Sequence, residues 1–563
     1  MKLKRNGQFL KCMLIMLTLI YSDFSHNQEL TDQVDECIRN RIENGGIPLS
    51  IIIGNEIIYT QAMLPLFYEQ RAYRPARSDD RGPLTLVDDL IESIQQAHYE
   101  GLKPKDYHIE KITAIFSEIR QFQQSRKTVS FDRLVDLDLL CTDAFLVYSS
   151  HLLSGRVDPE TFDPQWVPSR RGLNLVPFLE KTLEQKSIQK NLESLLPPQK
   201  GYQRLKSALA QYLQILENGG WPTVPDGPAL KKGDTDNRIQ MLCTRLNITN
   251  DLQNDPHNIS QIYDKTIETA VKRFQKRHGL EETGELDAVT LVELNISIEK
   301  RIDQIKLNME RWKWLPQDLG KKHLLINIAN FELDVVDNEK TIMTMHAVVG
   351  KPYRRTPVFS DRITYLVLNP YWNVPHNIAV QDLLPMIQKD DQYLNQRNIK
   401  VFRGWESDAV EFDPSTIDWS TLSSDQFPYR FRQEPGPLNA LGQIKFMFPN
   451  KFNVYLHDTP SRELFAKTER TFSSGCIRIE NPIELAVYFL QDRTDWTREK
   501  ILMAIQKNSE QTISLPEPVP IHLLYWTAWV EENGSIQFRK DIYDRDPMLE
   551  EALNEMPVRS FLF

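Results

Sequence analysis

His457 and Cys476 are the two residues whose side chains suit acyl transfer. The run Phe452-Asn453-Val454-Tyr455-Leu456-His457 alternates, which predicts a strand with Phe452, Val454 and Leu456 toward a core and Tyr455 and His457 on the other face. Nineteen residues after His457, the turn Ser473-Ser474-Gly475-Cys476-Ile477-Arg478 leads to Asn481-Pro482-Ile483-Glu484, which reads as a helix cap and first turn. A thiol is about 8.5 in pKa when unperturbed. A neighbouring imidazole raises its thiolate fraction and returns the proton to a leaving amine. Cys476 is then the nucleophile and His457 the general base and acid. Gly475 permits a tight turn whose N–H groups, with that of Cys476, would hold a developing oxyanion. Asp458 has the wrong strand parity to assist and reads as structural or as a rim charge. Taken singly, a buried small apolar residue and a surface histidine are the plain alternatives for the two.

These residues need a framework, and the chain supplies several. Residues 30–218 carry apolar residues at helical spacing, as in Leu86 to His98 and Leu134 to Leu153, and read as a helical scaffold. The Gly- and Pro-rich stretch 219–233 reads as a linker. Residues 234–295 form a compact three-helix module with faces at Ile239, Leu242 and Leu246 and at Ile267, Ala270, Val271 and Phe274. A charged amphipathic helix at 296–318 connects it to a mostly β domain at 319–512. Strands are expected at His323 to Ile328, Phe331 to Val336, Thr341 to Val349, Ile363 to Leu368 and Gln443 to Phe448. The polar and aromatic segment 377–432, with Trp405, Trp419, Phe427 and Tyr429, interrupts the β pattern and reads as an inserted cap, a decorative surface loop being the alternative. Residues 513–563 are expected to add C-terminal strands and a helix that pack on the preceding domains. The fold class is therefore multidomain α+β.

Composition fits this picture. With 563 residues, 41% hydrophobic and 26% charged, the chain has material for three or four packed domains. Its 67 basic and 77 acidic residues give a net charge of −10, which argues against nucleic acid as a partner. Residues 1–25 hold Lys2, Lys4, Arg5 and Lys11 before the apolar run Cys12 to Ser22, a pattern expected of a signal peptide or an N-terminal anchor. Export to the periplasm follows, with inner-membrane anchoring as the alternative. Cys37, Cys141, Cys243 and Cys476 form no CxxC pair or metal-like cluster, so no metal and no cofactor is expected; one disulfide among the first three stays open.

The segments Tyr455-Leu456-His457-Asp458-Thr459-Pro460 and Phe472-Ser473-Ser474-Gly475-Cys476-Ile477-Arg478 together resemble the active-site signature of the L,D-transpeptidases of bacterial cell walls, the YkuD-type catalytic domain. Asn369 to Pro375, which includes Trp372 and Asn373, and Gly436 to Gly442 are similar to segments of the large multidomain Gram-negative members called YcbB. Ala270 to Gln275, Gly279-Leu280 and Thr283-Gly284 resemble a peptidoglycan-binding domain, a generic three-helix spacer being the alternative. Many members of the family have His where this chain has Ser474, which alters the local hydrogen bonding.

The resemblance implies attack of Cys476 on the carbonyl at the L-centre of diaminopimelate in a tetrapeptide donor, release of D-Ala, and capture by the diaminopimelate amine of a second stem. The product is a 3-3 cross-link. His457 passes the proton, its ring oriented by a backbone carbonyl; Ser474, Gly475, Tyr455 and Arg478 support the site, and Trp372 and Asn373 contact the donor, a core aromatic being the alternative for Trp372. Other cell-wall synthesis enzymes are implied as partners and carbapenem-type β-lactams as inhibitors. The rivals are an L,D-carboxypeptidase that uses water as acceptor and a non-catalytic wall-binding scaffold. A papain-like protease is disfavoured because its Cys precedes its His, the reverse of the order here.

Overall fold

A computed structural model describes residues 33–555 apart from 47–48, 80–81, 126–128, 162, 168–170, 254–260 and 405–408. The N-terminal basic and apolar segment and Trp405 lie outside the described residues.

The N-terminal region is mainly helical, with Met63–Gln70, Leu86–Gln95, Ile109–Gln124, Phe131–Ser154, Leu175–Gln185, Ile188–Glu193 and Lys200–Glu217. Phe131–Ser154 is buried along most of its length, its buried residues including Asp138, Asp143 and His151, so it forms the axis around which the other helices pack. Gly155 ends it at a φ of 86°, and a Cβ there would come within 2.7 Å of Trp314 Nε1. Glycine is therefore needed both for the turn and for the close approach of the next layer.

The module's helices are Arg238–Ile248, Lys265–Arg277 and Ala288–Leu294, the last two capped by the carboxylates of Asp264 and Asp287. Stretch 219–233 differs from a simple linker: Val224 and Leu230 are buried in the module's core, and Leu230 pairs with Leu286. The connecting helix Ile298–Lys313 also differs from expectation, since Arg301, Glu310, Arg311 and Lys313 are buried rather than solvated. The reason is position. Glu310 accepts the N–H of Val157 (2.9 Å) from the helical region, while Arg311 pairs with Asp546 from the C-terminal segment.

Eight strands form a closed barrel: β1 (Lys322–Asn327), β2 (Glu332–Asp337), β3 (Lys340–Gly350), β4 (Val358–Leu368), β5 (Ile444–Met447), β6 (Leu456–His457), β7 (Ile477–Ile479) and β8 (Gln511–Leu524). They run β5-β6-β7-β3-β2-β1-β8-β4, and pairing of β4 with β5 closes the circle. The pairs β6–β7 and β8–β1 are parallel; the others are antiparallel. Inward-facing Leu324, Ile326, Leu333, Val335, Leu366, Phe446, Leu456 and Ile477 share one apolar core.

Two features depart from the sequence reading. First, β8 is a stave of the barrel, so the barrel extends past residue 512 to Leu524. Second, Trp166–Val167, from the helical region, pairs in parallel with Val358 and Phe359 of β4 and docks that region on the barrel.

The insertion is a folded unit, not a loop. It holds a four-stranded sheet made of Trp372–Asn373, Tyr429–Gln433, Ile399–Arg403 and Val410–Phe412, with helical turns between 376 and 396. Its own core includes Trp419, Phe427 and Phe431. The C-terminal pair Ala528–Val530 and Ile536–Phe538 packs into the helical region's core.

Candidate active site

Neighbouring strands β5, β6 and β7 carry the site. Lys445 faces His457 across β5–β6, and His457 faces Arg478 across β6–β7. Because side chains alternate, Tyr455 and Cys476, two residues back on their segments, fall on the same side as this rung. The core side is taken by Ile444, Phe446, Leu456 and Ile477, all fully buried.

The expected strand 452–457 is shorter: only Leu456–His457 is a strand. The Asn450 side chain captures the preceding segment, accepting from the N–H groups of Phe452 (3.0 Å) and Val454 (3.3 Å) and donating to the Val454 carbonyl (2.8 Å). Asn453 adopts a left-handed φ of 54°, and its carbonyl accepts the hydrogen bond of the Cys476 thiol at 3.9 Å. The thiol thus bonds to a carbonyl rather than to the imidazole. Catalytic contacts of this kind commonly tighten only when substrate is bound.

His457 is buried, and its Nδ1 lies 2.5 Å from the carbonyl of Asp458. A carbonyl only accepts, so Nδ1 carries the proton and Nε2 is the basic nitrogen of the neutral ring. Burial first, then the Arg478 and Lys445 cations, pushes the imidazole down to about 3, against the carbonyls of Asp458 and Leu441. Burial also raises the Cys476 thiol, while the Tyr455 amide, the Lys445 cation, the Tyr455 hydroxyl and the Arg478 cation favour its thiolate. The free site accordingly holds a thiol beside a neutral imidazole near neutral pH.

The Asp458 carboxylate is structural, accepting from the Gln443 N–H (2.9 Å) and pairing with Arg462 (3.1 Å). Gly442 makes room for it, since a Cβ there would lie 2.4 Å from Asp458 Oδ2.

Gly475 has a φ of 113°, which favours glycine. Its N–H, expected to be an oxyanion donor, instead donates to Ser473 Oγ (3.1 Å), and Ser473 Oγ donates to the Cys476 carbonyl. The hydroxyl occupies that amide, so among the described residues the Cys476 N–H is the donor left over. Ser474 is exposed and its Oγ accepts from Arg354 at 2.8 Å. Trp372 and Asn373 form the cap's first strand, paired with Gln433 and Arg432. Asn481 begins the helix Pro482–Leu490 without a side-chain cap bond.

Sequence reasoning missed Lys445 and Arg354. Lys445 had a signal, because Ile444 and Phe446 point inward and leave it outward; its place beside His457 depends on strand register. Its Nζ lies 3.8 Å from the centre of the Tyr455 ring. The thiols Cys37, Cys141, Cys243 and Cys476 are all free, so no disulfide joins the described cysteines.

Family models match three parts of the chain. Residues 321–496 match the L,D-transpeptidase catalytic domain, 235–294 the "Putative peptidoglycan binding domain" and 62–209 the scaffold domain. A "Putative L,D-transpeptidase" of Haemophilus influenzae is 35% identical over 253 residues, covering 44% of this chain and 50% of the relative, so the match spans half of that relative's length. Among solved structures, an L,D-transpeptidase (residues 123–326) from Xylanimonas cellulosilytica is 15% identical, covering 53% of this chain and 98% of its own, with a TM-score of 0.17. Mycobacterium tuberculosis L,D-transpeptidase 1 is 14% identical, covering 36% and 61%, with a TM-score of 0.14.

Proposed function

We propose that this chain, which carries an L,D-transpeptidase catalytic domain beside a peptidoglycan-binding module and a helical scaffold region, forms 3-3 cross-links between peptidoglycan stems through an acyl-enzyme on Cys476. The observation that carries the reading is the shared face of β5, β6 and β7, where a nucleophile, a neutral base and two cations meet.

In the first step His457 takes the thiol proton as sulfur bonds to the carbonyl carbon of the donor's diaminopimelate. The carbon–nitrogen bond to D-Ala then breaks, and His457 returns the proton to the departing amine. The Cys476 N–H faces the developing oxyanion, and Lys445 and Arg478 hold negative charge nearby. In the second step the side-chain amine of another stem attacks the thioester, its proton passes to His457, and the thiolate leaves and is reprotonated. Residues 235–294 hold the glycan near the barrel, and the N-terminal basic and apolar segment directs the chain to the periplasm, where the other cell-wall synthesis enzymes act on the same stems. Carbapenem-type β-lactams acylate the same sulfur.

Purified protein incubated with tetrapeptide muropeptides, analysed by mass spectrometry, tests this. Dimers that have lost one D-Ala per cross-link are expected. Tripeptides alone would make it a carboxypeptidase, and unchanged substrate from folded protein would leave a wall-binding scaffold.

A further inference from the structure

The loop between β3 and β4 carries Arg354, whose guanidinium reaches two distant parts of the chain at once. Nη1 donates to Asp382 Oδ2 and to Ser474 Oγ (2.8 Å); Nη2 donates to Asp382 Oδ1 (3.0 Å) and to Gln381 Oε1 (2.7 Å). The two terminal nitrogens bear four protons, and this arrangement engages all of them. Ser474 lies two residues before Cys476, whereas Gln381 and Asp382 belong to the cap. They sit on Ala379–Leu383, a single wide π-turn within the cap's first helical segment. Such turns occur frequently at functional sites.

Backbone and side-chain bonds hold the Arg354 loop in place. The Arg354 N–H donates to the Lys351 carbonyl (2.8 Å), the Gly350 N–H to Thr356 Oγ1 (2.9 Å), Thr356 Oγ1 to the Gly475 carbonyl (2.9 Å), and the Tyr543 hydroxyl to the Gly350 carbonyl (2.7 Å). The loop is thereby fixed to the catalytic turn itself. The cap, by contrast, packs around an apolar core of its own, separate from the barrel's. At this edge its seating depends on a polar fastening. A planar fork that grips both oxygens of a carboxylate fixes direction as well as distance, which a lysine would not.

We propose that Arg354 is a positioning residue that couples the seating of the cap to the geometry of the Ser474-Gly475-Cys476 turn. The proposal rests on the acyl-transfer reading given above. With the fork closed, the cap sits over the donor stem and the turn is aligned for attack; with it open, stems bind loosely and water reaches the thioester.

Full-length Asp382→Asn, which keeps shape and removes charge, is compared with wild type, with Arg354→Ala and with the swapped pair Arg354→Asp/Asp382→Arg. Asp382→Asn is expected to raise KM for a tetrapeptide donor about tenfold, the size of one charge-assisted contact, with kcat within about threefold. It also lowers the ratio of cross-linked dimer to hydrolysed tripeptide. Arg354→Ala lowers kcat as well, because it frees Ser474, and the swapped pair recovers part of the KM lost in Asp382→Asn. Wild-type KM and product ratio in folded Asp382→Asn would overturn the coupling, as would equal losses in KM and in acylation by a small β-lactam, which needs no cap. Hydrogen exchange over 376–387 reads the fastening without any reaction. Faster exchange in Asp382→Asn supports it and unchanged exchange refutes it, even if wild-type Cys476 proved inert and the acyl-transfer reading failed.

Discussion

Replacing Lys445 with methionine removes a cation from the rung that holds His457 while keeping the length of the side chain. Lys445 faces His457, its Nζ lies 3.8 Å from the Tyr455 ring, and its cation favours the Cys476 thiolate. Lys445 stands on β5 and Cys476 just before β7, two strands or about 10 Å apart, and a charge pair at that separation at an effective dielectric of about 20 is worth ~1.7 kcal/mol. Halving that for solvent and salt leaves about 0.8 kcal/mol, a roughly fourfold smaller thiolate fraction. The more basic thiolate is intrinsically more nucleophilic, which recovers roughly twofold. The net expectation is alkylation of Cys476 by iodoacetamide about twofold slower at pH 7, with the pH–rate curve displaced to higher pH. Intact mass against time between pH 6 and pH 10 measures both. Lys445→Arg, which keeps the charge, should stay near wild type. An unchanged rate and unchanged curve in Lys445→Met would refute the electrostatic role.

Three further outcomes follow from the geometry. Because His457 is pushed down to about 3, its ring stays neutral through mildly acidic pH, and acylation of Cys476 by a small β-lactam should show no acid limb between about pH 5 and pH 7. A limb centred near 6.5 would place the base elsewhere. Phe274→Ala in the buried core of residues 235–294 should cost about 3–5 kcal/mol and unfold that module, abolishing sedimentation with sacculi while β-lactam acylation continues. In the helical region, burial opposes the charged form of His108, yet bonds to Asp143 and Glu56 raise it to about 9 from 6.5. A pKa raised on folding contributes stability that is full below about pH 6.5 and lost as pH climbs through about 9, on the order of 3 kcal/mol. Urea denaturation at pH 6 and pH 9 should show this loss in wild type and not in His108→Gln.

The legible and illegible parts of the chain differ in physical kind. The Cys476 turn and His457 were legible because their chemistry is written in adjacent residues, and the module's helices because their apolar faces repeat at helical spacing. Residues 452–454 were misread as strand because the Asn450 side chain takes the N–H groups of Phe452 and Val454 and the Val454 carbonyl. C-terminal strands were expected within 513–563, but not a single strand from 511 to 524 in the barrel; the register shift between Ser514 and Val519 carries it across Pro516 and Pro518. Arg354 was illegible because its partners are 28 and 120 residues away and meet only once the barrel has closed. The cap's sheet escaped notice because its strands are short and its aromatic residues pack on one another rather than alternating with the barrel pattern.

Acyl transfer by this site requires a thioester on Cys476. The direct measurement is intact mass of the full-length protein quenched in acid during turnover of a tetrapeptide donor without acceptor. An adduct equal to the donor less D-Ala is expected, mapped to Cys476 and absent from Cys476→Ala. Turnover without any adduct on Cys476, or an equal adduct on Cys476→Ala, would contradict it.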